Sequence, residues 1–274
     1  MTDPFRITGP TCISFSGGRT SAYMLWRVLQ AHDMSLPDDA VVCFANTGKE
    51  CEETLEFVRD CSVNWGVPIT WLEYRNDETG FAVVDFQTAS RSGEPFEALI
   101  RKRGYLPNVA ARFCSIDLKI RVIHKHLKSL GWDHTEHDDW VGIRADEQRR
   151  AAKISRDRVP LVAAGVTKED VGAFWRAQSF DLKLPNNNGV TMHGNCDICF
   201  LKNPAKVLSL ISEKPARATW WIQMEQLAKD LGATNTGAVF TLDRPTYASM
   251  AKFAAEQRDM FDKNEEAIAC FCGD

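Results

Sequence analysis

Nine cysteines in 274 residues fall into two kinds of surroundings. Cys12, Cys43 and Cys61 lie in apolar or helical stretches and read as small core residues, while Cys51, beside Lys49, Glu50 and Glu52, reads as a bystander on a helix face. The other five are the single Cys114, a C-x-x-C pair (Cys196 and Cys199) on a turn that begins at Gly194-Asn195, and a C-x-C pair (Cys270 and Cys272) before Gly273. That is ligand spacing. Four thiolates hold either a zinc ion or a [4Fe-4S] cluster, each tetrahedral at the metal, so spacing leaves zinc and cluster open. A C-x-C thiol not used as a ligand is a candidate nucleophile or sulfur carrier, since a nearby Arg would lower its pKa.

A second constellation is Ser14-Phe15-Ser16-Gly17-Gly18-Arg19-Thr20-Ser21, placed between a strand pattern and a helix pattern. Adjacent glycines let the backbone approach a ligand. The helix that follows presents unpaired N–H groups and the positive end of its dipole, and Ser16, Thr20 and Ser21 add hydroxyls. Such a corner suits a phosphate. It lacks the Gly-Lys-Ser/Thr ending of a Walker loop and the spaced glycines of the dinucleotide fingerprint.

Basic residues cluster downstream: Arg101, Lys102, Arg103, Arg112, Lys119, Arg121, Lys125 and Lys128 against one acid, Asp117, with Arg144, Arg149, Arg150 and Lys153 further on. Guanidinium forks suit phosphate or sulfate oxygens, and Arg112, Lys119 and Arg144 are the candidates for anion contact. Lys125 and Lys128 read as a solvated helix face, and His124 and His126 as packed or exposed helical histidines. Asp146 and Glu147 either hold a Mg²⁺ that bridges phosphates or balance the neighbouring arginines.

The elements that must position these groups alternate. Cys12 to Phe15, Ala40 to Ala45 and Pro68 to Tyr74 read as strands. Thr20 to Ala31 and Glu52 to Trp65 read as helices, the second with Leu55, Val58 and Val63 expected on its inner face. Strands linked by helices predict a parallel sheet with right-handed crossovers. Phe81 to Gln87 is apolar or alternating, Glu94 to Arg103 and Ile116 to Leu130 are helical, and Trp140 to Ile143 is a further buried strand. Thr167 followed by Asp170 marks a helix start. Helices are expected near 204–212, 219–231 and 246–258. No internal repeat is present.

With 44% hydrophobic and 26% charged residues, the chain has globular composition and enough length for a core without disulfide staples. The N-terminal residues lack the pattern of an export signal, and no apolar run reaches the roughly 18 residues of a membrane span. We therefore expect a cytoplasmic protein with no membrane partner. A formal charge of −4 argues against general nucleic-acid binding, which rests on Lys and Arg neutralising phosphates.

The glycine loop resembles the Ser-Gly-Gly-x-x-Ser pyrophosphate loop (PP-loop) of the adenine nucleotide α-hydrolase superfamily, and further segments resemble its phosphoadenosine phosphosulfate reductase-like branch in order. Asn46-Thr47-Gly48 resembles the Asp-Thr-Gly of that branch, Glu53-Thr54-Leu55 its Glu-Thr helix, Cys114 with Lys119 its Cys-x-x-x-x-Lys, and Gly142-Ile143-Arg144 its Gly-x-Arg. The resemblance spans about residues 11–202. It implies an α/β fold with a five-stranded, mainly parallel sheet in a nucleotide-binding domain (1–202), followed by a helical extension (203–274).

The resemblance also implies roles. Phe44, Ala45, Thr47 and Gly48 would line the nucleoside, Ser16, Gly17, Gly18, Arg19, Thr20 and Ser21 would hold the phosphates with Arg112, and Lys119 and Arg144 would stabilise charge. Cluster-bearing members take ligands where Cys114, Cys196 and Cys199 stand. Here Phe113 replaces one adjacent cysteine, so Cys272 or Cys270 must substitute. Cys272 is favoured as the ligand, which leaves Cys270 as the catalytic thiol. The reductases' C-terminal Glu-Cys-Gly-x-His is absent, the chain ending Cys-Phe-Cys-Gly-Asp.

Three functions compete. One is an ATP-cleaving enzyme that adenylates a small molecule or nucleobase, with cluster-dependent sulfur transfer from a sulfur donor as a further step. The second is a reductase that releases sulfite from adenylyl sulfate or its 3′-phosphate with a thiol reductant. The third is a non-enzymatic nucleotide- and metal-binding module.

Overall fold

Five short apolar segments become strands: β1 (Thr11–Ser14), β2 (Ala40–Asn46), β3 (Thr70–Tyr74), β4 (Phe81–Val84) and β5 (Asp138–Val141). They form one sheet in the order β4-β3-β2-β1-β5. β1 pairs in parallel with β2 and β5, and β2 with β3, whereas β3 and β4 are antiparallel. The direction of β4 follows from chain length: the connection 75–80 is too short for the crossover that a parallel partner requires. The sheet is thus mainly parallel. The computed structural model describes residues 3–133, 136–186, 191, 193–194 and 196–262, with side chains as far as 257.

Alternation along the strands assigns the two faces. Ile13, Val42, Phe44 and Trp71 share a core with helices α1 (Arg19–Ala31) and α2 (Glu52–Trp65). Cys12, Cys43 and Leu72 are buried on the opposite face, where α4 (Arg121–Ser129) and the π-helical turn before it (Ile116–Ile120) pack on β2 and β3. Helix α3 (Glu94–Arg103) precedes that segment. On the first face the aromatic rings of Trp26, Phe57, Trp65, Phe174, Trp175 and Phe180 interlock α1, α2 and α5 (Lys168–Arg176). Helix α5 opens with the capping box read from Thr167 and Asp170. One expectation fails: Val63 is 73% exposed, and Cys61 and Trp65 are buried in its place. Five residues beyond Val58, it lies about 140° round the helix from it.

The chain divides into two compact units, Met1–Lys102 with Arg112–Asp197, and Arg103–Ala111 with Ile198–Asp274. The second consists of α6 (Pro204–Glu213), α7 (Arg217–Asp230) and α8 (Tyr247–Asp262) around an aromatic core. In that core Trp221 stacks on Tyr247 at 5.1 Å and Phe200 on Phe240 at 5.5 Å. Among the described residues no helix is long and apolar enough to cross a membrane.

Candidate functional site

The residues that lead from β1 into α1 build an open cradle. Gly17 has φ +73°, and a Cβ there would lie 2.6 Å from Thr54 Cγ2, so both conformation and space call for glycine. Gly18 occupies the N-cap position of α1; no side chain caps that helix and no acid stands in its first turn. An uncapped helix start of this kind presents N–H groups and the positive end of the dipole, the general setting in which anions bind. Ser21 Oγ lies 2.9 Å from Ser16 Oγ, accepts from Ser16 N–H at 3.1 Å and donates to Gly18 O, which braces the cradle from within. The Arg19 guanidinium is committed elsewhere, in a bidentate pair with Asp181 at 2.7 and 2.9 Å. Its contribution to the cradle is its backbone.

Strand order gives this corner its significance. From β1 the chain runs through α1 to β2 on one side, while β5 adds on the other, so the carboxyl ends of β1 and β5 flank the switch point where open α/β sheets hold ligands. Gly142, just beyond β5, packs against the start of α1: a Cβ there would lie 2.9 Å from Ser21 Cα. That contact delivers Arg144, whose Nη1 donates to Thr20 Oγ1 at 3.2 Å. The sequence motifs 16–21 and 142–144 therefore meet. Arg144 also pairs with Asp146 at 2.9 Å and with Glu147 at 3.6 Å. The Arg144 hydrogen bond holds the Asp146 carboxyl below its ordinary range. Both carboxylates are engaged by Arg144, the charge-balancing arrangement of the two read for these acids.

The carboxyl end of β2 carries a buried polar knot. Glu50 Oε2 accepts from Thr47 N–H at 2.9 Å and Thr47 Oγ1 at 2.8 Å, and Lys119 Nζ lies 3.5 Å from Glu50 Oε1. Lys119 sits on the π-helical turn, a feature that often marks functional positions. Beside this knot, Glu73 is wholly buried: it accepts from Asn46 Nδ2 at 2.7 Å, from Ser90 N–H at 2.6 Å and from Ser90 Oγ at 2.8 Å, and pairs with Arg75 at 2.9 Å. Phe44 is a core residue, 1% exposed with its ring edge-on to Trp71. Ala45, Thr47 and Gly48 are buried too, whereas Arg112 is exposed. Sequence reasoning missed Glu50 and Glu73 as organisers. The available signal was a glutamate inside the apolar run Trp71-Leu72-Glu73-Tyr74, where a charge must find partners.

Of the described cysteines, the three expected in the core are found there. Cys12, Cys43 and Cys61 are buried; burial raises the Cys61 thiol, and the hydrogen bond to Cys43, with burial, raises that of Cys12. Cys51 is the N-cap residue of α2. Cys196 is buried in polar company, its sulfur 3.5 Å from Thr47 Oγ1 and its backbone bridged to Glu50. Cys114 is half-buried in the same unit, one turn ahead of Lys119, and Cys199 is half-buried in the second unit. Cys270 and Cys272 lie outside the described residues.

The chain is 33% identical over 203 residues to the uncharacterized nin region protein ORF290 of Escherichia phage lambda, a match that covers 71% of the chain and 67% of that protein. The chain belongs to the family of this nin region protein. A second relative is the uncharacterized protein MJ0066 of Methanocaldococcus jannaschii, 30% identical over 151 residues, 54% of the chain and 26% of that protein. The chain thus spans about a quarter of the length of MJ0066. No family model matches the chain.

Proposed function

We propose that this protein is a PP-loop enzyme of the phosphoadenosine phosphosulfate reductase-like kind that binds ATP at the carboxyl ends of β1, β2 and β5 and cleaves it between the α and β phosphates. The observation that carries the reading is the convergence of the uncapped Gly17–Ser21 cradle with Arg144 at the sheet's switch point. An acceptor hydroxyl oxygen attacks the α-phosphorus, its proton passes to solvent, and the bond from the α-phosphorus to the bridging oxygen breaks to release pyrophosphate. The chain contributes positioning and charge stabilisation. Backbone N–H groups of residues 17–21 and the Arg144 guanidinium face the charge that grows on pyrophosphate. Lys119, held by Glu50 at the neighbouring strand end, supplies a second cation. The backbone and Thr47 at the end of β2 are the nucleoside side of the crevice. The acceptor is a small molecule or nucleobase.

As the resemblance implies, Cys114, Cys196, Cys199 and Cys272 would ligate a [4Fe-4S] cluster, with zinc as the alternative; what supports this among the described residues is Cys196, which lies among polar groups rather than in the apolar core of the other buried thiols. Such a cluster supplies sulfur delivery or electron transfer when bound. Iron, acid-labile sulfide and zinc analysis after anaerobic purification decides between them.

Incubation with ATP labelled at the γ-phosphate, with candidate acceptors, tests the reading. Labelled pyrophosphate supports it. Sulfite from adenylyl sulfate with a thiol reductant, lost in Cys270→Ser, would move the assignment to sulfonucleotide reduction. Tight ATP binding without turnover on any acceptor would leave a binding module.

A further inference from the structure

At the opposite end of β5 from Arg144 lies a cluster that the nucleotide reading does not use. His124 from α4, His137 from the turn before β5, and Asp139 within β5 bring one ligand atom each to within 4.8 Å of one another. Asp139 pairs in register with Cys12 and so faces the side of the sheet that α4 covers. Its two carboxylate oxygens are divided between the rings: His124 Nε2 lies 3.2 Å from Oδ2 and His137 Nε2 3.6 Å from Oδ1. Ligands placed tetrahedrally at about 2.0–2.1 Å from a zinc-type ion stand about 3.4 Å apart. Both measured separations are within a few tenths of an ångström of that.

The tautomer of His137 supplies the second argument. Its Nδ1 lies 2.9 Å from the Asp133 carbonyl oxygen, an acceptor only, so Nδ1 carries a hydrogen and donates it. Nε2 is thereby turned toward the Asp139 carboxylate, where the His137 side chain is 2% exposed. A ring N–H held on a backbone carbonyl is also how metal-bound histidines are oriented. His126, on the same helix as His124, is a contrast: it is buried against Phe81, and desolvation lowers its pKa.

We propose that His124, His137 and Asp139 bind one divalent transition-metal ion, of the zinc, cobalt or nickel class that imidazole and carboxylate ligands suit. The ion clasps α4 to the edge strand β5, on the amino-terminal side of the sheet, and is separate from any thiolate-bound group.

Co²⁺ titrated into the full chain tests this by visible absorption and by thermal unfolding. The expected result is a bound ion that raises Tm and whose ligand-field bands persist, free of a sulfur-to-cobalt charge-transfer band, in Cys196→Ser. Binding should weaken about 100-fold or more in His137→Ala, beyond the roughly 10- to 100-fold cost of losing a group that only orients a ligand. His124→Ala, at a half-exposed position on α4, should lose the cobalt-dependent rise in Tm while keeping the metal-free Tm near wild type; Cys196→Ser should keep the binding. No cobalt binding by the wild type would overturn the proposal. So would unchanged affinity in both histidine variants, or binding that carries the sulfur band and disappears in Cys196→Ser.

Discussion

Each unit buries a glutamate. Glu73, in the sheet unit, has its carboxylate filled by two donors from Ser90, one from Asn46 and the Arg75 guanidinium. Glu225, on α7 of the helical unit, receives the Tyr247 N–H at 3.2 Å, at the start of α8. Burial pushes its pKa from the ordinary 4.5 up to about 7, with Tyr247 N–H, Lys229 and Arg244 pulling only partly against it. Where a turn and a neighbouring strand end can be recruited as donors, a buried charge becomes a scaffold. Between packed helices, whose backbone groups are already paired, the proton becomes the partner instead.

The strongest way to break this contrast is Glu73→Ala. It leaves Asn46, Ser90 and Arg75 facing an empty acceptor position and should cost about 3–5 kcal/mol in urea unfolding, the range for removing one partner of a buried charge pair. A loss under about 1 kcal/mol would mean that the network is ornamental. Next comes pH. Because folding raises the Glu225 pKa, the folded chain holds the proton better than the unfolded chain between 4.5 and about 7. Its contribution is fully present below pH 4.5 and declines as pH rises through 7, by about 3 kcal/mol over that window. Glu225→Gln should flatten that dependence, read by hydrogen exchange in α7 and α8.

Gly17→Ala separates backbone demands from polar ones in the sheet unit. Positive φ and the Thr54 contact should cost about 2 kcal/mol with the Glu73 network intact. The smallest expected effect is Ser90→Ala, about 1 kcal/mol, since the Ser90 N–H still reaches Glu73 when the hydroxyl is gone. A loss as large as that of Glu73→Ala would place the weight of the network on a single hydroxyl.

The elements were legible because each carries a local signal: buried apolar runs for β1, β2 and β3, a cap at Thr167 for α5, helical periodicity for α6 to α8. The cradle was legible for the same reason, being one contiguous segment. Less accessible was everything that depends on register and crossing. Nothing local to Asp139 reveals that it opposes Cys12 beneath His124, nor does Glu73 announce Ser90 as its partner, because those contacts arise only when strands align and a loop folds back. Phe44 shows the converse: a place next to a ligand corner was readable, while the direction of its ring into the α1 and α2 core was set by the alternation of β2.

Strand β1, next to the sheet edge, has one neighbour, β2, close behind it in sequence and another, β5, that emerges only after about half the chain has been made. Pairings that distant carry a large loop-closure cost and form late. A nascent chain that has completed α1 and β2 therefore still exposes one long side of β1 as an unpaired edge, open to other strands. The corner at residues 17–21 exists by then, but it gains Gly142 and Arg144 only when β5 docks. On the proposed nucleotide reading, anion affinity appears only with the last strand, which makes ligand capture a kinetic marker for completion of the sheet.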